Sequence, residues 1–407
     1  MQTVLKGWVE NVREIGNIRF FVVRNSSGLT QVTAKKGDVP EEVFKIISEI
    51  GKEDCVDVRG RLVESKIAKT GKELIPDSIK ILSKAEKPLP LDLQVGAEKD
   101  TRFNYRFIDL RDKKIQKIFI LKNRVIELFR EFFKNNGFIE VHTPVIQAAG
   151  AEGGSSLFEI KYYDKKAFLR QSPQLYKQIL MASGLDKVYE IGQAFRAEKF
   201  HTHRHVCEFL SLDIEVAWIE SEEDVMKIVE KMIVHVLNGL KNEIKINVPE
   251  VPFKRITYDE VLEMLKKSGI ELEWGEDLTD LHEKKLGEIL GKKGIDWYFI
   301  TKFPSEIKPF YIMYDGKYSR GIDLDYKGME IASGGQREHR YENLKKVMEE
   351  KGLKLSEFKF YLDAFRYGMP PHGGIGLGIE RLIEQILNIN DIKETILFPR
   401  TPERVLP

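Results

Sequence analysis

The sequence predicts an α+β protein in two parts: a small all-β N-terminal domain, then a larger domain whose antiparallel sheet is flanked by helices. Three observations carry this. Short segments with period-two alternation and turn signals fill residues 1–85. A stiff, donor-poor Pro88-Leu89-Pro90-Leu91 follows and reads as a hinge. Beyond it, strands and helices mix without regular βαβ alternation. No phosphate-binding Gly-x-x-x-x-Gly-Lys-Ser/Thr loop occurs, and Gly374-Ile375-Gly376-Leu377-Gly378 lacks the spacing of a dinucleotide fingerprint. The expected division is 1–85, a linker over 86–110, and 111–407.

Each element has a local reason. Residues 19–24 and 29–33 alternate and are separated by Asn25-Ser26-Ser27-Gly28. A short helix is expected over 41–50, with further strands over 55–62 and 74–82. Five strands in this length predict a barrel of the OB type. In the larger domain, Ile118, Leu121, Val125, Leu128 and Phe132 fall at 3/4 spacing and predict a helix over 115–136, stopped by Gly137. Residues 188–191 read as a strand. Within residues 367–381 a glycine-rich strand runs into a helix bearing Leu382, Ile383 and Ile386.

Composition narrows the function classes. Hydrophobic residues make up 42% and charged residues 32% of 407, which supports sizeable cores and excludes a disordered chain. No apolar run approaches the roughly 18 residues of a membrane span, and the first residues lack a signal-peptide pattern. The net charge of +1 excludes a uniformly basic surface but not a local basic groove. Cys55 and Cys207 are too few for a disulfide framework and read as reduced thiols of a cytoplasmic protein. His201, His203 and His205 alternate around Arg204 without a ligand-spaced Cys or carboxylate, so the loop reads as anion-facing rather than as a zinc site.

Four constellations suggest chemistry. In Phe195-Arg196-Ala197-Glu198, two-residue spacing would place Arg196 and Glu198 on one strand face, where an Arg can hold a phosphate. In Gln171-Ser172-Pro173-Gln174-Leu175-Tyr176-Lys177, Ser172 is the expected N-cap and Pro173 the first helical residue, so that Gln174 and Lys177 share a face near a helix N-terminus suited to a carboxylate. Asp323, Asp325 and Glu330 crowd two adjacent strands beside Gly334-Gly335 and Arg337, an arrangement that suits a hard cation such as Mg²⁺. Arg381 opens the helix after the glycine-rich strand, where small residues would clear room for a flat ligand.

Together these segments resemble the three signature motifs of class II aminoacyl-tRNA synthetases. Gly137-Phe138-Ile139-Glu140-Val141-His142-Thr143-Pro144 is similar to the first, which forms dimers in that family. The stretch from Phe195 to Glu208-Phe209 is similar to the second, and Gly376-Leu377-Gly378-Ile379-Glu380-Arg381 to the third. The OB domain points to the aspartate, asparagine and lysine subgroup. Residues 171–177 and Gly334-Gly335-Gln336-Arg337 resemble its aspartyl members of archaeal/eukaryotic type.

The resemblance implies a ligase that activates L-aspartate with ATP and Mg²⁺, then esterifies tRNA(Asp), with tRNA(Asn) left open as a second acceptor. It assigns the α-phosphate to Arg196 and adenine to Glu198, Phe209 and Arg381, with Arg196 and Arg381 as the catalytic pair. His205 would reach the terminal phosphates, and Asp323, Glu330 and Ser333 would organise Mg²⁺. Glu152, Gln174, Lys177, Ser333 and Arg337 would hold aspartate, with Lys177 distinguishing aspartyl from asparaginyl enzymes. Phe20 and Gln31 would read the anticodon, while Glu10 and Lys69 bear on tRNA choice. Lys69 matches the discriminating type, whereas Glu10 matches neither residue expected at its position. A homodimer without membrane attachment is implied. An amide-forming paralogue should lack the barrel domain, and a non-catalytic RNA-binding protein should lack Arg196, Glu330 and Arg381.

Overall fold

A computed structural model describes residues 2–68, 71–148, 157–198 and 204–407. The chain divides into two compact units, Met1–Ala97 and Glu98–Pro407.

The first unit is a closed barrel with strand order β1-β2-β3-β5-β4. Its strands are β1 (Gln2–Ile15), β2 (Ile18–Asn25), β3 (Gly28–Lys35), β4 (Cys55–Glu64) and β5 (Lys72–Ser83), with α1 (Glu41–Ile47) between β3 and β4. Val9, Phe21, Val23, Val32, Val56, Val58 and Leu74 fill its interior. Alternation along β2 buries Phe21 and Val23 and leaves Phe20 and Val22 partly exposed. The helix ends earlier than the expected 50, because Ser48, Glu49 and Ile50 donate to carbonyls three residues back rather than four.

The second unit begins with α2 (Lys99–Asn104), α3 (Arg106–Asp109), α4 (Lys113–Asn135), β6 (Ile139–Glu140), β7 (Ile146–Gln147), β8 (Glu159–Tyr162), β9 (Lys165–Leu169) and α5 (Gln174–Met181). It continues with β10 (Lys187–Phe195), β11 (Glu208–Ala217), α6 (Glu222–Leu240), β12 (Lys254–Thr257), α7 (Tyr258–Lys267), α8 (Asp280–Gly291) and β13 (Trp297–Thr301). Last come β14 (Tyr314–Asp315), β15 (Tyr318–Ser319), β16 (Gly321–Tyr326), β17 (Glu330–Gln336), α9 (Tyr341–Glu350), α10 (Lys359–Arg366), β18 (His372–Gly378) and α11 (Ile379–Leu387).

Eight strands form the central sheet in the order β12-β13-β16-β17-β18-β11-β10-β6. Its interior pairs are antiparallel, as expected, and only the edge pairs β12–β13 and β10–β6 are parallel. The main core joins α4, α6 and α11 to this sheet through Leu128, Phe129, Phe133, Val229, Ile233, Leu382, Ile383, Leu212 and Leu377. The predicted stripe of α4 is the buried one, and Asp112 caps its start by accepting from the Lys114 amide at 2.8 Å.

The stretch expected as linker over 86–110 is only partly one. Its end forms α2 and α3, which belong to the second unit. Arg106 is fully buried there, paired with Asp109 and donating to the carbonyls of Glu394, Ile396 and Leu397. Only partners about 290 positions away make burial possible. Arg106→Ala should therefore cost about 3 kcal/mol, because the carbonyls of Glu394, Ile396 and Leu397 lose their donor and the buried Asp109 keeps only Arg102 as a cation. Lys346→Ala, at an exposed helix pair with Glu350, should cost less than about 1 kcal/mol in the same urea denaturation series.

Candidate active site

A cavity of about 650 Å³ opens where α5, β11, β17, β18, α8 and α11 meet. Its walls include Gln174, Arg196, His205, Phe209, Glu330, Ser333, Arg337 and Arg381, all singled out from sequence. Gln174 and Arg381, 207 positions apart in the chain, are thus brought to one cleft.

Beneath one wall lies a group of four buried ions. Arg337 donates from Nε to Glu215 Oε1 at 2.9 Å and from Nη2 to Glu215 Oε2 at 3.2 Å. The Lys177 ammonium donates to Asp213 Oδ1 at 3.0 Å and lies 3.4 Å from Glu215 Oε2. None of the four side chains is more than 3% exposed. Burial pushes the Glu215 carboxyl up, but Arg337 and Lys177 outweigh it and hold the group below the usual carboxylate range. Gln174 joins through its Oε1, which accepts from Arg337 at 3.3 Å, while its buried Nε2 has no partner. Gly374 makes this packing possible: a Cβ there would sit 2.4 Å from Glu215 Oε2 and 2.0 Å from the Ile214 carbonyl. The glycine expected to clear space for a ligand clears it for a buried carboxylate instead.

Lys177 differs from expectation in the same way. It does not line the cavity, because Asp213 and the carbonyls of Ile214 and Ile375 take its donors. Ser172 was expected to cap α5 with Pro173 inside the helix. Pro173 stands at the cap position instead, and Ser172 Oγ still accepts from the Gln174 amide at 3.4 Å.

A second group surrounds Arg381. Its Nη1 donates to the Glu330 carbonyl at 3.1 Å and to Glu330 Oε1 at 3.2 Å. The Arg196 guanidinium stands 5.6 Å from the centre of the Phe209 ring. β10 ends at Phe195, so Arg196 and Glu198 follow the strand rather than share its face, and Glu198 does not line the cavity. Burial, then the charge of Arg381, pushes the His205 imidazole below its ordinary value, which favours the neutral ring.

Carboxyl groups crowd the third region. Asp323 Oδ2 accepts from Lys308 at 2.7 Å, and its buried Oδ1 has no partner. Burial and the nearby Glu330 push Asp323 up to about 6 despite Lys308. Glu283 is likewise pushed up to about 7, first by burial and then by Glu330. In the sheet register Asp323 faces Ser333, whereas Asp325 faces Glu330. Among the described residues, no three His, Cys, Asp or Glu side chains form a metal-binding group.

Glu152 and Lys69, and with them His201 and His203, lie outside the described residues. In the barrel, Phe20 pairs with Thr33 across β2–β3, and Gln31 lies two residues from Thr33 on the same partly exposed face. Gln31 donates to Thr33 Oγ1 and to Glu73, and Glu10 accepts from Arg24 at 3.5 Å.

Sequence reasoning missed Asp213, Glu215, Lys308 and Glu283. The first two had a signal, since Ser211, Asp213 and Glu215 alternate with Leu212, Ile214 and Val216 along β11. Lys308 and Glu283 had none.

Residues 98–402 match the family described as tRNA synthetases class II (D, K and N), and residues 3–82 match the OB-fold nucleic acid binding domain. The chain belongs to the class II tRNA synthetases. Among similar relatives of this synthetase is the aspartate–tRNA(Asp) ligase of Pyrococcus furiosus, 50% identical over 98% of this chain and 95% of that protein. The aspartate–tRNA(Asp/Asn) ligase of Methanopyrus kandleri is 46% identical over 99% and 95%. The crystal structure of asparaginyl-tRNA synthetase from Pyrococcus horikoshii complexed with asparaginyl-adenylate superposes with a TM-score of 0.93 at 33% identity, covering 100% of this chain and 96% of that one.

Two stability outcomes follow for this synthetase. Lys177→Met leaves Asp213 and Glu215 short of a cation, so its melting temperature should fall sharply in calorimetry, by an amount equivalent to about 3–5 kcal/mol. Glu384 is buried on α11 with Oε2 unpartnered, and burial pushes it up to about 7 from 4.5. A carboxyl raised on folding stabilises below its unfolded value and loses that contribution as pH rises through its folded value. Glu384→Gln should therefore melt about 2–4 °C higher than the parent at pH 8, a shift worth about 1 kcal/mol, and no higher at pH 4.

Proposed function

We propose that this synthetase is an aspartate–tRNA ligase, activating L-aspartate with ATP and transferring it to the 3′ adenosine of tRNA(Asp). The observation that carries this reading is the wall formed by Arg337 and Gln174. Arg337 is held by Glu215 through Nε and Nη2, which leaves Nη1, at the cavity, with no hydrogen bond among the described residues. A carboxylate accepts from such a donor with charge assistance, worth roughly twice a neutral hydrogen bond. The amide of asparagine offers half the acceptor capacity and no charge, so a site built on Arg337 discriminates against it. The names of the relatives in Pyrococcus and Methanopyrus support the same substrate.

Adenylate formation brings the aspartate α-carboxylate onto the α-phosphorus of ATP, with pyrophosphate leaving. No general base is needed, because the nucleophile is already ionised. The requirement is fixed positive charge where negative charge accumulates. Arg196 and Arg381 line the cavity and meet that requirement. Phe209 offers a ring face for adenine, and neutral His205 a donor for phosphate oxygens. Mg²⁺ suits the carboxyl region, where Asp323 Oδ1 is buried without a partner and Glu330 crowds it. Asp323, Glu330 and Ser333 would hold it, and two carboxylates suffice for an ion that keeps several waters. When bound it cancels phosphate charge.

The barrel supplies an anticodon site: Phe20 as stacking platform and Gln31 beside it, with each stacked base worth roughly 1–3 kcal/mol. A homodimer would cover Phe107, Ile120, Ile139 and Ile146, which are 45–64% exposed on and beside α3, α4, β6 and β7. Cys55 and Cys207 are free thiols, in keeping with the cytoplasm, and among the described residues no helix is long and apolar enough to cross a membrane.

ATP–pyrophosphate exchange should depend on L-aspartate and fall at least about 100-fold in Arg337→Leu, the cost of about 2.7 kcal/mol for one lost charge-assisted contact. Exchange driven by L-asparagine instead would overturn the aspartate reading. Charging of tRNA(Asp) and tRNA(Asn) transcripts, each alone, measures acceptor choice directly.

A further inference from the structure

The α8 helix lies outside all three signature motifs, yet it forms part of the cavity wall through Asp280 and Glu283. It approaches the sheet at backbone distance. A Cβ on Gly287 would fall 2.5 Å from the Gly328 Cα, and a Cβ on Gly328 would fall 2.6 Å from the Glu283 carbonyl. Gly328 belongs to the turn between β16 and β17, two residues before Glu330. The helix is therefore seated on the turn by glycine against glycine, with Glu283 one helical turn upstream of the contact.

Glu283 uses that seat to bridge two parts of the nucleotide site. Its Oε2 accepts from Arg204 Nη1 at 2.9 Å and from the Glu330 backbone amide at 3.1 Å. Arg204 is buried, donates as well to Asp280 Oδ1 at 3.1 Å and to the Gly328 carbonyl at 3.3 Å, and precedes His205. Glu330 in turn is held by Arg381 through its side chain and its carbonyl. One carboxylate thus ties the segment carrying His205 to the strand start carrying Glu330.

We infer that Glu283 is a positioning residue for the nucleotide half of the reaction, acting through Arg204 and Glu330 and not on the amino acid. This rests on the adenylate-forming reading above. The glycine seat of α8 is the device that aims it. A surface ion pair would not need a backbone-to-backbone contact, and a purely structural pair would not converge on a cavity-lining carboxylate.

The test is ATP–pyrophosphate exchange on the full-length protein, with KM and kcat measured separately for ATP and for the amino acid. Glu283→Ala should lower kcat and raise the ATP KM, together at least 10-fold in kcat/KM, with the amino-acid KM within twofold of the parent. Glu283→Gln keeps one acceptor oxygen and should recover part of the loss. Gly287→Ala pushes the helix off the turn without changing any charge, and should reproduce the split shown by Glu283→Ala. Arg204→Ala combined with Glu283→Ala should cost little more than either alone, since both remove one linkage. Folded Glu283→Ala with an unchanged ATP KM and kcat would overturn the inference, as would an equal rise in both substrates' KM. If Glu283→Ala fails to fold, the same two outcomes are read from the Glu283→Gln and Gly287→Ala proteins. Should the parent respond to asparagine and not aspartate, the substrate reading fails while the ATP-side split remains measurable with asparagine.

Discussion

Lys177, Asp213, Glu215 and Arg337 are buried together under the cavity, two cations against two anions. Each ion taken from water costs several kcal/mol, and mutual attraction offsets that only when geometry is good and the remaining donors are used. Here they are used. Arg337 grips Glu215 with two nitrogens, Lys177 adds the carbonyls of Ile214 and Ile375, and Ser211 donates to Asp213 at 2.6 Å. The glycines of β18 follow from this constraint, since a side chain at Gly374 would occupy the space of the Glu215 carboxylate. So does the adjacency of α5, β11, β17 and β18, which contribute one or more members each or pack against them.

This arrangement changes the meaning of a charged pocket. A cavity lined by unpaired cations would be expensive in the empty enzyme and open to any anion. Here the cations are neutralised from behind, and a substrate carboxylate meets a guanidinium already fixed in direction. The carboxyl region is built the opposite way. Asp323, Asp325 and Glu283 are all pushed upward by burial and by the nearby Glu330, and Asp325 by Glu283 and Asp323 as well, so this part of the site carries unfavourable charge that a cation or a proton relieves. Lys308 offsets only part of it.

Much of the fold was legible along the chain. Period-two alternation on β2 separates buried Phe21 from partly exposed Phe20, and the 3/4 spacing of α4 predicts its buried stripe. Both signals are local, because a strand or helix must turn its apolar residues one way. The extent of the linker was not legible. Nothing near Arg102 and Arg106 in the chain gives the partner Glu394, nearly 300 positions away, that helps to hold both.

The sequence by itself determined the types of the elements it predicted, the two-part organisation and, through resemblance to the family, the eight described residues that line one cavity. The tertiary structure decided how they are used. Lys177 has the sequence context of a substrate ligand, yet its donors are spent on Asp213 and two carbonyls. Glu283 has no motif at all, yet it joins Arg204 to Glu330. The physical reason is common to both. A charge's role depends on which opposite charge stands beside it, and those partners come from strands and helices far apart in the chain, where no periodicity reaches.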